Sequence, residues 1–160
     1  GRRVDRAGGR QAIHGVVKMT TLPRGIRNRN PGNIDRGRDR WQGMAADQSG
    51  DPRFIVFEGP EWGIRAIVRV LRSYRDKHRL KTVEGIIGRW APPIENPTDI
   101  YIKFVCDRLD VAPEDEIDID DPEVLRTLIR AIIRKECGRG PLAEGDWYEQ
   151  AVLDDGIARA

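Results

Sequence analysis

The middle of the chain carries apolar residues at helical spacing. The i, i+3, i+4, i+7 pattern of an amphipathic helix is followed by Ile64, Ile67, Val68 and Leu71. Pro60 precedes this pattern, and proline suits the first helical turn because its missing N–H leaves no hydrogen bond unmade. We therefore predict an amphipathic helix over residues 60–78.

Further helices follow along the chain. The same apolar spacing predicts a helix over residues 83–90, capped by Thr82 and ended by two prolines. A third helix is predicted to begin with Thr98 as its cap. A fourth runs from Pro122 to about Glu136, and a last helix lies between residues 144 and 157. The sequence thus predicts a mostly α domain.

The front of the chain has a different pattern. Residues 20–53 contain five glycines and three prolines, a density that favours loops and short turns over a long helix. The apolar run at residues 54–57 precedes a Gly-Pro pair and predicts a short strand. A small β element, expected as a hairpin, therefore accompanies the helices, which gives a mostly α (α+β) class.

Composition narrows the class of protein. A length of 160 residues suggests one domain, and 39% hydrophobic residues are enough for a core. No apolar run is long enough for a transmembrane helix, and no signal peptide is visible. Two cysteines and two histidines, without a paired cluster, predict reduced thiols and no metal site.

The net charge of +2 conceals an uneven distribution. Residues 1–18 carry a net +4, residues 24–40 another +4, and residues 41–160 about −6. A basic front can bind nucleic acid, but residues 1–18 lack aromatic side chains for base stacking, which favours a solvated tail. We treat residues 1–19 as a basic N-terminal extension, disordered or vector-derived, and residues 20–160 as the domain.

Glu136 is the residue that stands out. The apolar stripe of the fourth helix passes through Leu125, Ile129 and Ile132, and Glu136 is its next member. Burial and the negative end of the helix dipole both disfavour an ionised carboxylate, so we expect a raised pKa for Glu136. A protonated carboxylic acid is what a glycosidic general acid requires. The alternative is an exposed helix end at which Glu136 pairs with a neighbouring arginine.

Other residues carry two interpretations each. Tyr101 and Trp90 lie at apolar positions and are either core residues or groups that contact a substrate. Asn30 and Asn33 flank a Pro-Gly pair and either make local turn bonds or bind a ligand. Substrate binding is also open for Trp41, one of four tryptophans, and for Glu95, which precedes a turn.

Several strings occur together in a specific order. They are residues 24–34 (RGIRNRNPGNI), 41–43 (WQG), 54–66 (FIVFEGPEWGIRA) and 89–98 (RWAPPIENPT), followed by Tyr101. This order resembles small bacteriophage and prophage proteins of the lysozyme-like superfamily, over roughly residues 22–140. The opening of that family usually has asparagine where Arg29 stands here.

The resemblance implies a lysozyme-like fold in circularly permuted order. Muramidases and lytic transglycosylases carry a catalytic glutamate at the end of an early helix, in a string similar to residues 135–138 here. The β segment and a tyrosine-bearing helix follow that glutamate in the family, whereas here they precede it. The resemblance implies Glu136 and Tyr101 as catalytic residues, and Asn30, Asn33, Trp41, Trp90 and Glu95 as substrate-binding residues. Cys137 departs from the usual serine or asparagine.

The function implied is cleavage of the glycan strand of peptidoglycan between N-acetylmuramic acid and N-acetylglucosamine. A lytic transglycosylase needs one acid, whereas a hydrolase needs a second carboxylate, for which Asp35, Glu58 and Glu61 are candidates. No metal or cofactor is implied. The location implied is the virion or the host cytoplasm, with action at the cell wall. The alternative is a non-catalytic virion structural or assembly protein with other virion proteins as partners; nucleic-acid binding through residues 24–40 is the weaker third option.

Overall fold

The computed structural model describes residues 21–160, and the expected N-terminal extension over residues 1–19 lies outside them. The described part is mostly helical, which confirms the mostly α class. Its helices are α1 (Arg24–Arg27), α2 (Pro60–His78), α3 (Val83–Trp90), α4 (Thr98–Leu109), α5 (Pro122–Cys137) and α6 (Gln150–Arg159), with a 3-10 turn at Ala143–Gly145. None of these helices is both long and apolar enough to cross a membrane.

The helix boundaries follow local signals. Pro60 opens α2, and Arg79 closes it in the left-handed conformation at φ 55°. Thr82 caps α3 by accepting a hydrogen bond from the Gly85 N–H at 3.1 Å. Asp121 caps α5 by accepting one from the Glu123 N–H at 2.9 Å. The predicted starts of these three helices are therefore confirmed.

The predicted role of Thr98 as a cap is wrong. Thr98 is the first residue of α4, and Pro97 precedes it in the cap position. The Thr98 hydroxyl instead donates to the carbonyl oxygen of Ala91 at 2.6 Å. The Thr98 side chain therefore links the start of α4 to the end of α3. This contact depends on how the two helices pack, which the local sequence does not reveal.

The helices share one hydrophobic core. Its centre consists of fully buried side chains from α2, α3, α4 and α5, namely Ile64, Ile67, Leu71, Ile87, Val105, Leu128, Ile129 and Ile132. Helix α6 packs along α2, where Gly156 approaches Ile64 so closely that a Cβ would lie 2.6 Å from the isoleucine Cγ2. The apolar stripes predicted for α2 and α5 are thus the faces that build the core.

The expected strand and β-hairpin are reduced to isolated bridges. Within residues 21–160, residues 54–57 pair only at their ends, Phe54 with Asp35 and Phe57 with Met44, both antiparallel. Between these ends the backbone N–H of Val56 donates to the Gln48 side chain at 2.9 Å. Successive residues therefore bond to different partners, and no continuous ladder forms. The apolar run nevertheless buries Ile55 and Phe57, as an extended segment with alternating faces does.

A buried carboxylate organises the loops before α2. Asp51 accepts hydrogen bonds from the Arg24 guanidinium and from the Asn28 side-chain amide, the latter at 2.8 Å. It also accepts the backbone N–H groups of Arg53 and Phe54 at 2.8 Å each. The Arg24 bond, chiefly, holds the pKa of Asp51 far below its usual range.

The turn over residues 28–33 is held by Asn30, which is fully buried. Its amide donates to the carbonyl oxygens of Ile34 at 3.0 Å and Ile55 at 2.9 Å, and its oxygen accepts the Ile34 N–H. Helix α2 contacts the same turn at Gly63, where a side chain would collide with the Arg29 carbonyl. These bonds fix the direction in which Asn33 points.

Arg29 is the strained residue of this turn, with φ +52°. Arginine is disfavoured in the left-handed region, whereas asparagine tolerates it. We expect Arg29→Asn to raise the free energy of unfolding by about 0.5–1 kcal/mol, because asparagine adopts this backbone conformation with less strain and the arginine side chain is exposed. Thermal denaturation should show a melting temperature about 1–4 °C higher.

Arg27→Asn is the matched control, because Arg27 is equally exposed but lies within α1. Asparagine is a poorer helix former than arginine, so this variant should not melt above the wild type. An Arg29→Asn protein that melts at or below the wild-type temperature contradicts the assignment of strain to residue 29.

Candidate active-site cleft

Glu136 lies in the last turn of α5, half-buried, with both carboxylate oxygens engaged. The Tyr101 hydroxyl of α4 donates to Oε2 at 3.0 Å, and the Asn33 side-chain amide donates to Oε1 at 3.2 Å. The Asn33 amide also lies 3.4 Å from the Glu136 backbone carbonyl oxygen. Three segments distant in sequence therefore meet at one carboxyl group.

The arginine pairs that would leave Glu136 on an exposed surface do not form. Arg130 is paired with Asp146 at 3.5 Å, and Arg134 donates to the backbone carbonyl of Glu144 at 3.1 Å. Glu136 takes part in no ion pair among the described residues. Its oxygens bond to neutral donors instead.

Cys137 fastens the end of α5 to the N-terminal turn. Its buried thiol donates to the Pro31 carbonyl at 3.4 Å. Gly25 lies directly opposite, where a Cβ would stand 2.8 Å from both the Cys137 Sγ and the Asn33 Oδ1. Burial, with a smaller effect of Glu136, raises the pKa of Cys137 to about 12. Cys137 is thus a neutral packing residue that sets the distance between Glu136 and Asn33.

An open cleft of about 670 Å³ lies in front of Glu136. One wall is the turn segment 32–35, and the others come from α2, the end of α3 and the loop before α4. Its lining residues are Gly32, Asn33, Ile34, Asp35, Arg53, Phe54, Val70, Tyr74, Trp90, Glu95, Asn96 and Glu136. The volume is that of a site for a small ligand or for a few units of a polymer.

Burial is the main influence on the titration of Glu136. It raises the pKa of the carboxyl above its usual value, while hydrogen bonds from Asn33, Tyr101 and Trp90 oppose the rise without cancelling it. Burial, together with the charge of Glu136, also raises the pKa of Tyr101 well above its usual value, so the phenol remains protonated. The cleft therefore presents an acid with increased proton affinity beside a permanent hydroxyl donor.

The other carboxylates of the cleft are exposed and form ion pairs. Asp35 and Glu95 are both exposed, and both accept from the Arg53 guanidinium, at 2.6 Å and 3.2 Å. Glu58 and Glu61, named as candidates for a second carboxylate, do not line the cleft. Among the three candidates, only Asp35 shares the cleft with Glu136.

The structure brings together most of the predicted site residues. Glu136, Asn33, Trp90 and Glu95 line the cleft, and Tyr101 contacts Glu136 from behind it. Trp41 instead lines an adjoining depression. Asn30 does not line the cleft, and its side-chain amide is engaged by the backbone of Ile34 and Ile55.

Sequence reasoning missed Arg53 and Tyr74, which both line the cleft. Tyr74 lies seven positions after Ile67 and three after Leu71, so extending the α2 stripe by one turn predicts it. Arg53 gave no such signal, because its partners, Asp35 and Glu95, lie 18 and 42 positions away. No group of three or more potential metal ligands occurs within residues 21–160.

Replacing Glu136 tests the cost of its burial. A raised folded-state pKa means that the native state holds its proton over a pH range in which the unfolded state has lost it, so stability falls as pH rises through that range. Glu136→Gln removes this loss. We therefore expect the difference in melting temperature, Glu136→Gln minus wild type, to become more positive from acidic to neutral pH.

Glu58→Gln is the control, because Glu58 is exposed. If the melting-temperature difference between Glu136→Gln and wild type varies with pH no more than that of the control, Glu136 is not held in an environment that disfavours its charge.

The comparison with known proteins identifies one relative. The chain matches no established family model. It is 40% identical over 128 residues to Protein P5 of Pseudoalteromonas phage PM2. The aligned region covers 78% of this chain and 78% of that protein. Identity at this level over most of both sequences is sufficient to group them, and the chain therefore belongs to the family of phage protein P5.

Proposed function

We propose that the protein is a phage peptidoglycan-degrading enzyme that cleaves the glycan strand between N-acetylmuramic acid and N-acetylglucosamine. The observation that carries the proposal is Glu136, a carboxyl group with a raised pKa, open to a cleft and held by two neutral donors. A carboxyl group with a raised pKa is suited to protonate a leaving oxygen. Glu136 is proposed as general acid and base, and Tyr101 as its catalytic partner.

The proposed reaction begins with proton transfer. The Glu136 carboxyl gives its proton to the bridging glycosidic oxygen while the bond from that oxygen to the anomeric carbon breaks. The carboxylate formed is stabilised by the donors of Tyr101 and Asn33, which already point at its two oxygens. It then accepts the proton of the muramoyl 6-hydroxyl, whose oxygen bonds to the anomeric carbon and closes an anhydro ring.

A hydrolytic outcome requires a second carboxylate to activate water. Asp35 is the sequence-proposed candidate that lines the cleft, where it accepts a hydrogen bond from the Arg53 guanidinium at 2.6 Å. The single-acid scheme uses only contacts present at Glu136, so we propose the lytic transglycosylase reaction over hydrolysis. Mass analysis distinguishes them, because the first yields an anhydro sugar end and the second a reducing end.

We also propose a lysozyme-like fold in circularly permuted order. Support comes from the meeting of the asparagine turn, the tyrosine of α4 and the glutamate ending α5, although Asn33 and Glu136 lie 103 positions apart. Exchange of chain order is physically tolerated where termini lie near each other. Trp90 and Glu95, which line the cleft, are proposed to contact the sugar units.

The second candidate is a non-catalytic virion structural or assembly protein that binds through the same cleft. Kinship with a phage protein supports this candidate more directly than the enzyme, because the relative's name carries no activity. In that case the location is the virion and the partners are other virion proteins. Absence of cleavage by the wild type on several peptidoglycan types would favour it.

The decisive variant is Glu136→Gln, which keeps shape and hydrogen bonding but removes the titrating proton. We expect release of soluble fragments from purified peptidoglycan to fall by about 10²-fold or more. Arg27→Ala is the control, because Arg27 is exposed and lines no part of the cleft. Wild-type cleavage by Glu136→Gln eliminates this residue as the acid.

Tyr101→Phe tests the link between the phenol and the acid. The hydroxyl stabilises the charged carboxylate, so its removal raises the pKa of Glu136 further. A general acid must be protonated, and activity is lost as pH rises through its pKa. The alkaline limb of the pH–rate profile should therefore move to higher pH in this variant.

Tyr148→Phe is the matched control for that experiment. Tyr148 is half-buried and lines a separate small pocket, away from the cleft. Its profile should coincide with the wild-type profile. An alkaline limb that moves to lower pH in Tyr101→Phe, or stays in place, contradicts the proposed contact in the working enzyme.

A further inference from the structure

A second depression, of about 610 Å³, adjoins the cleft. Val70 and Tyr74 of α2 line both, so the two spaces meet along one side of that helix. We call the second space the basic depression. Its lining includes five arginine or lysine side chains, namely Arg40, Arg65, Arg69, Lys77 and Arg89, against a single carboxylate, Asp39.

The basic side chains are arranged by the helix period. Arg65, Arg69 and Lys77 lie four and eight positions apart on α2, with Ser73 completing the row. Residues four apart share a helix face, so the row forms one wall of the depression. Arg89 approaches from α3, with its guanidinium 5.4 Å from the centre of the Tyr74 ring. Two helices therefore direct positive charge into the same space.

These charges are not neutralised by carboxylates of the described chain. Within residues 21–160 none of the five takes part in an ion pair. Within the described residues, Arg65 donates to the carbonyl oxygen of Arg159 at 3.1 Å and Arg69 to an oxygen of Ala160 at 3.5 Å. Clustered cations without counter-charges repel one another, and an anionic ligand relieves that repulsion. Arg65 shows the effect, since burial and the charge of Arg69 both lower its pKa.

The adjoining cleft has the opposite character. Its charged lining residues are Asp35, Glu95 and Glu136, with Arg53 as the one cation. A ligand that spans both spaces must be uncharged where it meets Glu136 and anionic where it meets the row on α2. A glycan strand that carries short peptides with free carboxylates has this distribution, because the sugars are neutral and the peptide branches from the muramic acid beside the scissile bond.

We propose that the basic depression binds the carboxylates of the peptide attached to N-acetylmuramic acid, so that the preferred substrate is peptide-bearing glycan. This inference rests on the proposed function of the cleft. The arginine fork matches a carboxylate in geometry, and two such groups, Arg69 and Arg89, come from different helices. Single-stranded nucleic acid is less well suited, since residues 41–160 carry net negative charge.

The test compares two substrates of equal length: soluble glycan strands with their peptides, and the same strands stripped of peptides by an amidase. Binding is measured with the full chain carrying Glu136→Gln, which does not consume the strands. We expect the stripped strands to bind at least about tenfold more weakly, as loss of a charge-assisted contact implies. Cleavage by the wild-type chain is measured on both strands in parallel.

Lys77→Glu with Arg89→Glu, in the same background, should remove the preference, so that both strands bind alike. Both side chains are exposed, and neither forms an ion pair within residues 21–160, so folding should be retained, as circular dichroism can verify. Lys77→Gln with Arg89→Gln replaces the charge reversal should it fail to fold. Arg27→Glu, outside both spaces, is the control and should keep the preference.

The two proposals fail separately. Equal or absent binding of the two strands by Glu136→Gln overturns the peptide inference, even where the wild type cleaves both. If Glu136→Gln prefers the peptide-bearing strands but the wild type cleaves no strand of either kind, the peptide inference is supported and the proposed enzymatic function is overturned. Tighter binding of single-stranded DNA, with a steep salt dependence that the double variant abolishes, overturns the inference in favour of a nucleic-acid site.

Discussion

The carboxylate of Asp51 is the anchor on which the remainder of the site depends. It gathers the Arg24 guanidinium, the Asn28 amide and two backbone N–H groups, so the loops before α2 are fixed without a β-sheet. Buried carboxylates are tolerated only when their oxygens are fully bonded, and a set of this kind has essentially one satisfactory geometry. Asn30 holds the following turn through its bond to the Ile55 carbonyl oxygen. This turn places the Asn33 side chain within hydrogen-bond distance of Glu136.

Asp51 and Glu136 both carry carboxyl groups removed from solvent, but their surroundings shift the two pKa values in opposite directions. Asp51 is buried beside a cation and kept charged, whereas Glu136 is buried among neutral donors and driven towards its protonated form. The fold thus affects two carboxyl groups in opposite ways: it lowers the pKa of Asp51, a structural anchor, and raises the pKa of Glu136. The two carboxyl groups are linked, because the loops that Asp51 holds position the donor Asn33 beside Glu136.

Much of the helical part was predictable from sequence, because apolar spacing and capping residues act locally. The bounds of α2 and the caps Thr82 and Asp121 follow from neighbouring residues alone. The position of Glu136 on the α5 stripe was also visible. The loop region was not, because Gln48 and Asp51 form side-chain bonds that replace a ladder, and such long-range bonds leave no periodic trace. Thr98 illustrates the same limit, since its bond to Ala91 is set by packing between helices.

The separation of Asn33 from Glu136 along the chain has a consequence for biosynthesis. The turn leaves the ribosome about a hundred residues before the helix end that completes the site, and contacts of such long range form late. A nascent or prematurely terminated chain therefore holds the turn and the tyrosine helix without the acid. The order of the segments delays the contacts of Glu136 with Asn33 and Tyr101 until α5 has been made, so a chain that terminates before α5 has the cleft walls without their carboxyl group.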